Sequence, residues 1–172
     1  MNFISPEPVT AGAQDISRLA RELFFHDPGK ARERIFQLEI LLRENIKEGA
    51  LVENTHDMPL VHHFIPGAYG RELHIPAGTI LVGKIHRAPC FNFVNAGTIT
   101  VLTEDGIKTI TAPAFFRSDA GVKRVGVAHT DTVWITMHPT NETDLERLEA
   151  EITAPDFESI GQIDGTVIKE TA

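Results

Sequence analysis

The chain has only one cysteine, Cys90, in 172 residues. An internal disulfide framework is therefore excluded, and nothing asks for an oxidising compartment. Long apolar runs are also missing: none approaches the roughly 20 residues needed to span a bilayer. The opening stretch, MNFISPEPVTAGAQD, lacks the basic start and apolar run of a secretory signal. Basic charge is scarce, with 16 Lys and Arg against 24 Asp and Glu, a formal charge of −8. Such an acidic surface repels phosphate backbones and argues against broad nucleic-acid binding, although a local basic pocket is compatible with it. No glycine-rich phosphate loop, G-x-S-x-G elbow or CxxC pair occurs, and no heptad or solenoid repeat. A soluble, cytoplasmic protein without membrane or nucleic-acid partners is the expectation.

What is present suits one ordinary domain with helical extensions. The hydrophobic share of 42% and charged share of 23% are those of a globular chain that can bury a core. Residues 1–50 read as a helical arm. Asp15 can cap ISRLARELFF, with Ile16, Leu19 and Leu23 at helical spacing. Asp27-Pro28 forms a start signal for a second helix. Its apolar stripe runs through Ile35, Leu38, Leu42 and Ile46 and ends near Lys47 and Gly49.

Residues 51–140 change character. Short runs rich in Val, Ile, Thr and Phe (LVHHFIP, RELHIPAG, TILVGKIH, FNFVNAGTITVLTEDG, IKTITAP, VKRVGVAH, TVWITMH) alternate with turn residues. That pattern predicts an antiparallel sandwich or barrel, with a hairpin turn at Glu104-Asp105-Gly106. Residues 141–172 form a C-terminal helix and tail: Thr143 and Glu146 make a capping box before Leu145, Leu148 and Ile152, and Pro155 ends the helix.

The middle zone resembles the cupin superfamily. That family's first motif is glycine, five residues, His-x-His, three or four residues, Glu, six residues, glycine. Here Gly78, Lys84-Ile85-His86, Cys90 and Gly97 keep the spacing, while two of the three ligand identities differ. At the second motif, Pro113 replaces the first glycine, Asp119-Ala120-Gly121 replaces Pro-x-Gly, Arg124 replaces the His and Ala128 the Asn. The resemblance covers about half of the chain and implies a mainly β fold, a double-stranded β-helix or jelly-roll barrel, between N- and C-terminal helical extensions. Similar small cupins with a helical arm occur in bacteria and their phages.

The resemblance implies that the four metal-binding places of the family fall on Lys84, His86, Cys90 and Arg124. Lysine and arginine offer no lone pair to a divalent ion at neutral pH, and two remaining donors are too few for a stable site. No cofactor is therefore expected. The alternative is an Fe, Zn or Mn ion held by His86 with His74, His138 and Cys90. His74 lies on the strand before the first motif, and His138 shares a strand face with Trp134 and Thr136. His62, His63 and His129 could also join such a rebuilt site, but for each histidine alone a surface or hydrogen-bonded role is expected over a ligand, and His129 reads as a turn residue at the rim. Thiol dioxygenases also replace the motif glutamate but keep three histidines, so that comparison fails here. An inert, buried Cys90 is expected over a nucleophile.

The leading expectation is a metal-free cupin whose barrel binds a small anion. Lys84, His86 and Arg124 would contact it, and Cys90, His74 and His138 would line the pocket, because guanidinium and ammonium groups suit carboxylate or phosphate. Three other expectations stand beside it. Lys84 and Arg124 can instead pair with internal carboxylates, Glu72 among them. A metal-dependent oxygenase or isomerase with a non-standard ligand set is the enzyme alternative. A structural or assembly scaffold is the third. Homodimerisation is expected from the family resemblance.

Overall fold

The computed structural model describes residues 2–4, 31–47, 58–103 and 105–155. Twelve strands and two helices occur among them: β1 (Asn2–Ile4), α1 (Ala31–Lys47), β2 (Leu60–Ile65), β3 (Ala68–Ile75), β4 (Ile80–Val82), β5 (Ile85–His86), β6 (Cys90–Ala96), β7 (Thr98–Thr103), β8 (Gly106–Thr111), β9 (Ala114–Ser118), β10 (Val125–Ala128), β11 (Thr132–Pro139), α2 (Leu145–Ile152) and β12 (Thr153–Ala154). One sheet has the order β1-β4-β10-β7-β8, the second β2-β3-β11-β6-β9, and β12 pairs with β5. Every pairing is antiparallel. The sheets face each other across a shared core of Leu73, Ile75 and Val94 from the second sheet and Ile99, Val101, Ile110 and Ala128 from the first. Burying each of the larger aliphatic side chains contributes about 1.5–3 kcal/mol.

Alternation along the strands sets the lining. On β3 the side chains of Tyr69, Arg71, Leu73 and Ile75 share one face; on β11, Thr132, Trp134, Thr136 and His138 do so, and Trp134 lies opposite Leu73, Thr136 opposite Arg71, and His138 opposite Tyr69. Gly97 carries the chain from β6 in one sheet to β7 in the other at φ +84°. A Cβ there would sit 2.2 Å from the Asp131 carbonyl oxygen, so only glycine fits.

Strand β1 lies within the stretch that the sequence assigns to a helical arm. Its three residues give no periodic signal, yet they pair with β4 along that strand's outer edge. On α1 the stripe of Ile35, Leu38 and Leu42 is buried, and Glu39 forms an ion pair with Lys123. The predicted helix after Asp15, the Asp27-Pro28 start, the Ile46 side chain and the Gly49 stop lie outside the described residues. The cap of α2 is Asp144, one residue later than the capping box places it: the Asp144 carboxylate accepts from Arg147 N at 3.0 Å, and Glu142 Oε1 accepts from the Thr143 and Asp144 amides, both at 2.9 Å. Among the described residues no helix is long and apolar enough to cross a membrane.

Candidate functional site

Three cations from different parts of the fold line one cavity of about 70 Å³ between the sheets: Arg71 on β3, Lys84 in the β4–β5 connection, and Arg124 just before β10. Leu73, Ile75, Leu81, Ile99, Val101 and Trp134 form its apolar wall; Asn92 and Thr136 add hydrogen-bonding groups, and His86 closes one side. Among the described residues that line it, none is Asp or Glu.

A buried network anchors the cationic side. Asn92 Nδ2 donates to Ser118 Oγ at 2.7 Å, and its Oδ1 accepts from Trp134 Nε1 at 3.0 Å. Arg124 also donates to Ser118 Oγ, and its guanidinium carbon stands 5.9 Å from the Phe116 ring centroid. Lys84 donates to Glu149 of α2. Burial lowers the proton affinity of all three cations. For Arg71 the Tyr69 hydroxyl works against this shift and for Arg124 the Cys90 thiol does, while for Lys84 the neighbouring Arg71 charge adds to it.

His86 joins this cavity to a second group. β12 pairs with β5 and sets Thr153 opposite His86. The His86 Nδ1 atom lies 3.2 Å from Cys90 Sγ, and its ring stands edge-on to that of His138 with centroids 4.7 Å apart. Donor atoms of His86, Cys90 and His138 all fall within 4.8 Å of one another. Burial, then the nearby His138, Arg124 and Arg71, pushes His86 down to about 3, and burial with Arg71 pushes His138 down to about 4. Both imidazoles are therefore neutral at pH 7. Burial raises the Cys90 thiol, with Arg124 acting in the opposite sense, so the cysteine is not an activated nucleophile.

The structure thus gathers Lys84, His86 and Arg124 at the cavity, and Cys90 and His138 beside His86. His74 does not join them. It has the opposite parity to Leu73 and Ile75, so it points to the outer face, where its Nε2 contacts Glu72 Oε1 at 2.7 Å; His63 Nε2 contacts the other carboxylate oxygen at 2.8 Å. Glu72 is accordingly taken up by two histidines and is no partner for Lys84 or Arg124. His129 Nε2 bonds Thr100 Oγ1 at 2.7 Å on the exposed surface, and His62 Nδ1 bonds the Tyr69 hydroxyl at 2.7 Å. The family's four-ligand set does not fit these residues, because Lys84 and Arg124 are turned to Glu149 and Ser118 and cannot ligate. Arg71, Asn92 and Ser118 were not singled out from the sequence. Parity would have found the first two: Arg71 alternates with Leu73, and Asn92 with Cys90 and Val94.

Two facing sheets, with the spacing from Gly78 to Gly97 placing His86 and Cys90 together and Arg124 across the same cavity, decide the architecture. The chain has a cupin barrel. Neither a protein-family model nor a curated protein sequence matches it. Solved structures similar to it include an acetylacetone dioxygenase from Acinetobacter johnsonii (TM-score 0.42, 16% identity, over 48% of this chain and 59% of that one). An ectoine synthase from P. lautus is similar at TM-score 0.47 and 15% identity, over 58% and 75% of the two chains. An RmlC-like cupin from Shewanella frigidimarina is similar at TM-score 0.41 and 22% identity, over 49% and 77%. The match thus spans less than two thirds of the dioxygenase's own chain. What distinguishes this barrel is that Lys84 and Arg124 stand at two of the places where the cupin motifs carry metal ligands.

Proposed function

We propose that this cupin binds a small organic anion, with its carboxylate or phosphate end at Arg71, Lys84 and Arg124 and its apolar end against Leu81, Ile99 and Val101. The observation that carries the reading is the convergence of those three cations on one cavity. A guanidinium offers a planar fork to a carboxylate, and an ammonium adds a point charge. A volume of about 70 Å³ admits a handful of water molecules, which limits the ligand to a few heavy atoms. A homodimer is part of the proposal: Phe91 and Phe115, 49% and 58% exposed and 5.2 Å apart between centroids, form an aromatic patch on the outer face of the second sheet.

The test is a thermal-shift screen of short carboxylates and organic phosphates on the wild-type protein and on Arg124→Ala. A charge-assisted hydrogen bond contributes about 1.5–3 kcal/mol, so the variant is expected to bind a hit at least tenfold more weakly. A barrel that serves only as a filled scaffold would show no response to any anion, and that outcome rejects the reading.

A second reading is favoured by a separate observation, the meeting of His86, Cys90 and His138. In it the protein is a metal-dependent oxygenase or isomerase with a non-standard ligand set. It requires turnover that rises and falls with bound metal.

A further inference from the structure

His86, Cys90 and His138 come from β5, the start of β6 and the end of β11. Strand pairing, rather than one loop, therefore fixes their separation. Cys90 and His138 are 3% and 2% exposed, and His138 Nε2 is buried without a hydrogen-bond partner among the described residues. An orphaned polar atom of this kind is costly to bury, and native structures leave few of them unless a bound species completes the contact. His138 belongs to neither cupin motif.

We infer that His86, Cys90 and His138 form a three-donor site, two nitrogens and one sulfur, for a zinc ion. Zinc binds sulfur at about 2.3 Å and nitrogen at about 2.0–2.1 Å in tetrahedral array, which sets its donors about 3.3–3.6 Å apart. The His86–Cys90 pair at 3.2 Å is already near that spacing. The widest separation, at most 4.8 Å, needs to close by at most about 1.2–1.5 Å, within reach of side-chain rotation. No carboxylate joins the group among the described residues, so hard cations such as magnesium and calcium are disfavoured, while thiolate with imidazole suits zinc. On binding, the S–H bond breaks, a Zn–S bond forms and the proton leaves to solvent. A pocket of about 290 Å³ lined by Pro89, Cys90, Met137 and His138 reaches the group, and Arg71, Lys84 and Arg124 line a different space. The site specifies the ion of the second reading and needs neither turnover nor the anion.

Cobalt(II) titration of the wild-type protein tests it, because a thiolate ligand gives a sulfur-to-cobalt charge-transfer band and Cys90 is the only cysteine. The expected result is a band that saturates at one equivalent and is bleached by zinc. Cys90→Ser should abolish the band, and His138→Gln should weaken cobalt binding at least about tenfold. Arg124→Ala should keep the band while losing any anion response, so the two readings fail separately. No band in folded wild-type protein, or a band that survives in Cys90→Ser, overturns the inference. Cobalt bound at His63, Glu72 and His74 on the outer face would give no such band, and that outcome also counts against it. If His138→Gln fails to fold by circular dichroism, wild type and Cys90→Ser decide the question.

Discussion

Asn92 Nδ2 donates to Ser118 Oγ at 2.7 Å across the paired strands β6 and β9, and its Oδ1 accepts from Trp134 of β11. One amide thus fastens three strands beneath the cationic cavity. Asn92→Ala would leave the Trp134 indole N–H without its acceptor, while Ser118 would keep only its contact with Arg124. The expected loss is about 1–3 kcal/mol for each group left unsatisfied, read as a lower midpoint in urea unfolding with an unchanged slope.

Gly97→Ala is expected to be among the most damaging single substitutions in the barrel. The backbone there is left-handed, and the added methyl would collide with the Asp131 carbonyl and the Thr132 backbone. Strain and clash together should remove about 3 kcal/mol or more. A thermal melt equal to wild type would show that the crossing between sheets tolerates a side chain.

The pairing of Glu39 with Lys123 makes the docking of α1 sensitive to pH. Burial raises the Glu39 carboxyl, but hydrogen bonds and charge from Lys123 and Arg43 outweigh it, and the net shift is downward from 4.5. A carboxyl with a depressed native pKa adds stability above its unfolded value, and that contribution is lost as pH falls through the lower native value. The stability gap between wild type and Glu39→Gln should therefore stay constant near neutrality and shrink below 4.5. Denaturant melts across pH 3–7 would measure it, and a gap unchanged by acid would refute the pairing.

Deleting residues 1–48 should harm the barrel rather than trim it. The deletion removes β1, which covers the edge of β4, and the buried α1 face. An unpaired edge next to newly bared apolar surface promotes association. Light scattering is expected to show aggregation or a changed oligomeric state. A soluble, well-folded product of unchanged size would show that both elements are dispensable.

Much of the barrel could be read in advance because Val, Ile, Thr and Phe alternate with polar residues at the strand period. The Gly-bounded spacing of Lys84, His86 and Cys90 then fixed which strand ends meet. The site was less legible. His74 was grouped with His86 because it precedes the first motif, yet strand parity governs direction, and its neighbours Leu73 and Ile75 occupy the inward face. Arg71 belongs to no motif, and only its parity with Leu73 and Ile75 marks it as inward-facing. The Lys84–Glu149 contact depends on how α2 packs, which no local pattern encodes.

The position of β4 has a consequence for the order in which the molecule assembles. Hairpins β2–β3 and β7–β8 join neighbours in the chain, whereas β4 pairs only with β1 and β10. Loops must close over long stretches before those contacts form, which makes them slow. Pulse-labelled hydrogen exchange should accordingly protect the hairpins first and β4 late. Arg71, carried on an early hairpin, would wait for Arg124 to arrive with β10. Strand β1, which lies on β4, is then also among the last to find its place.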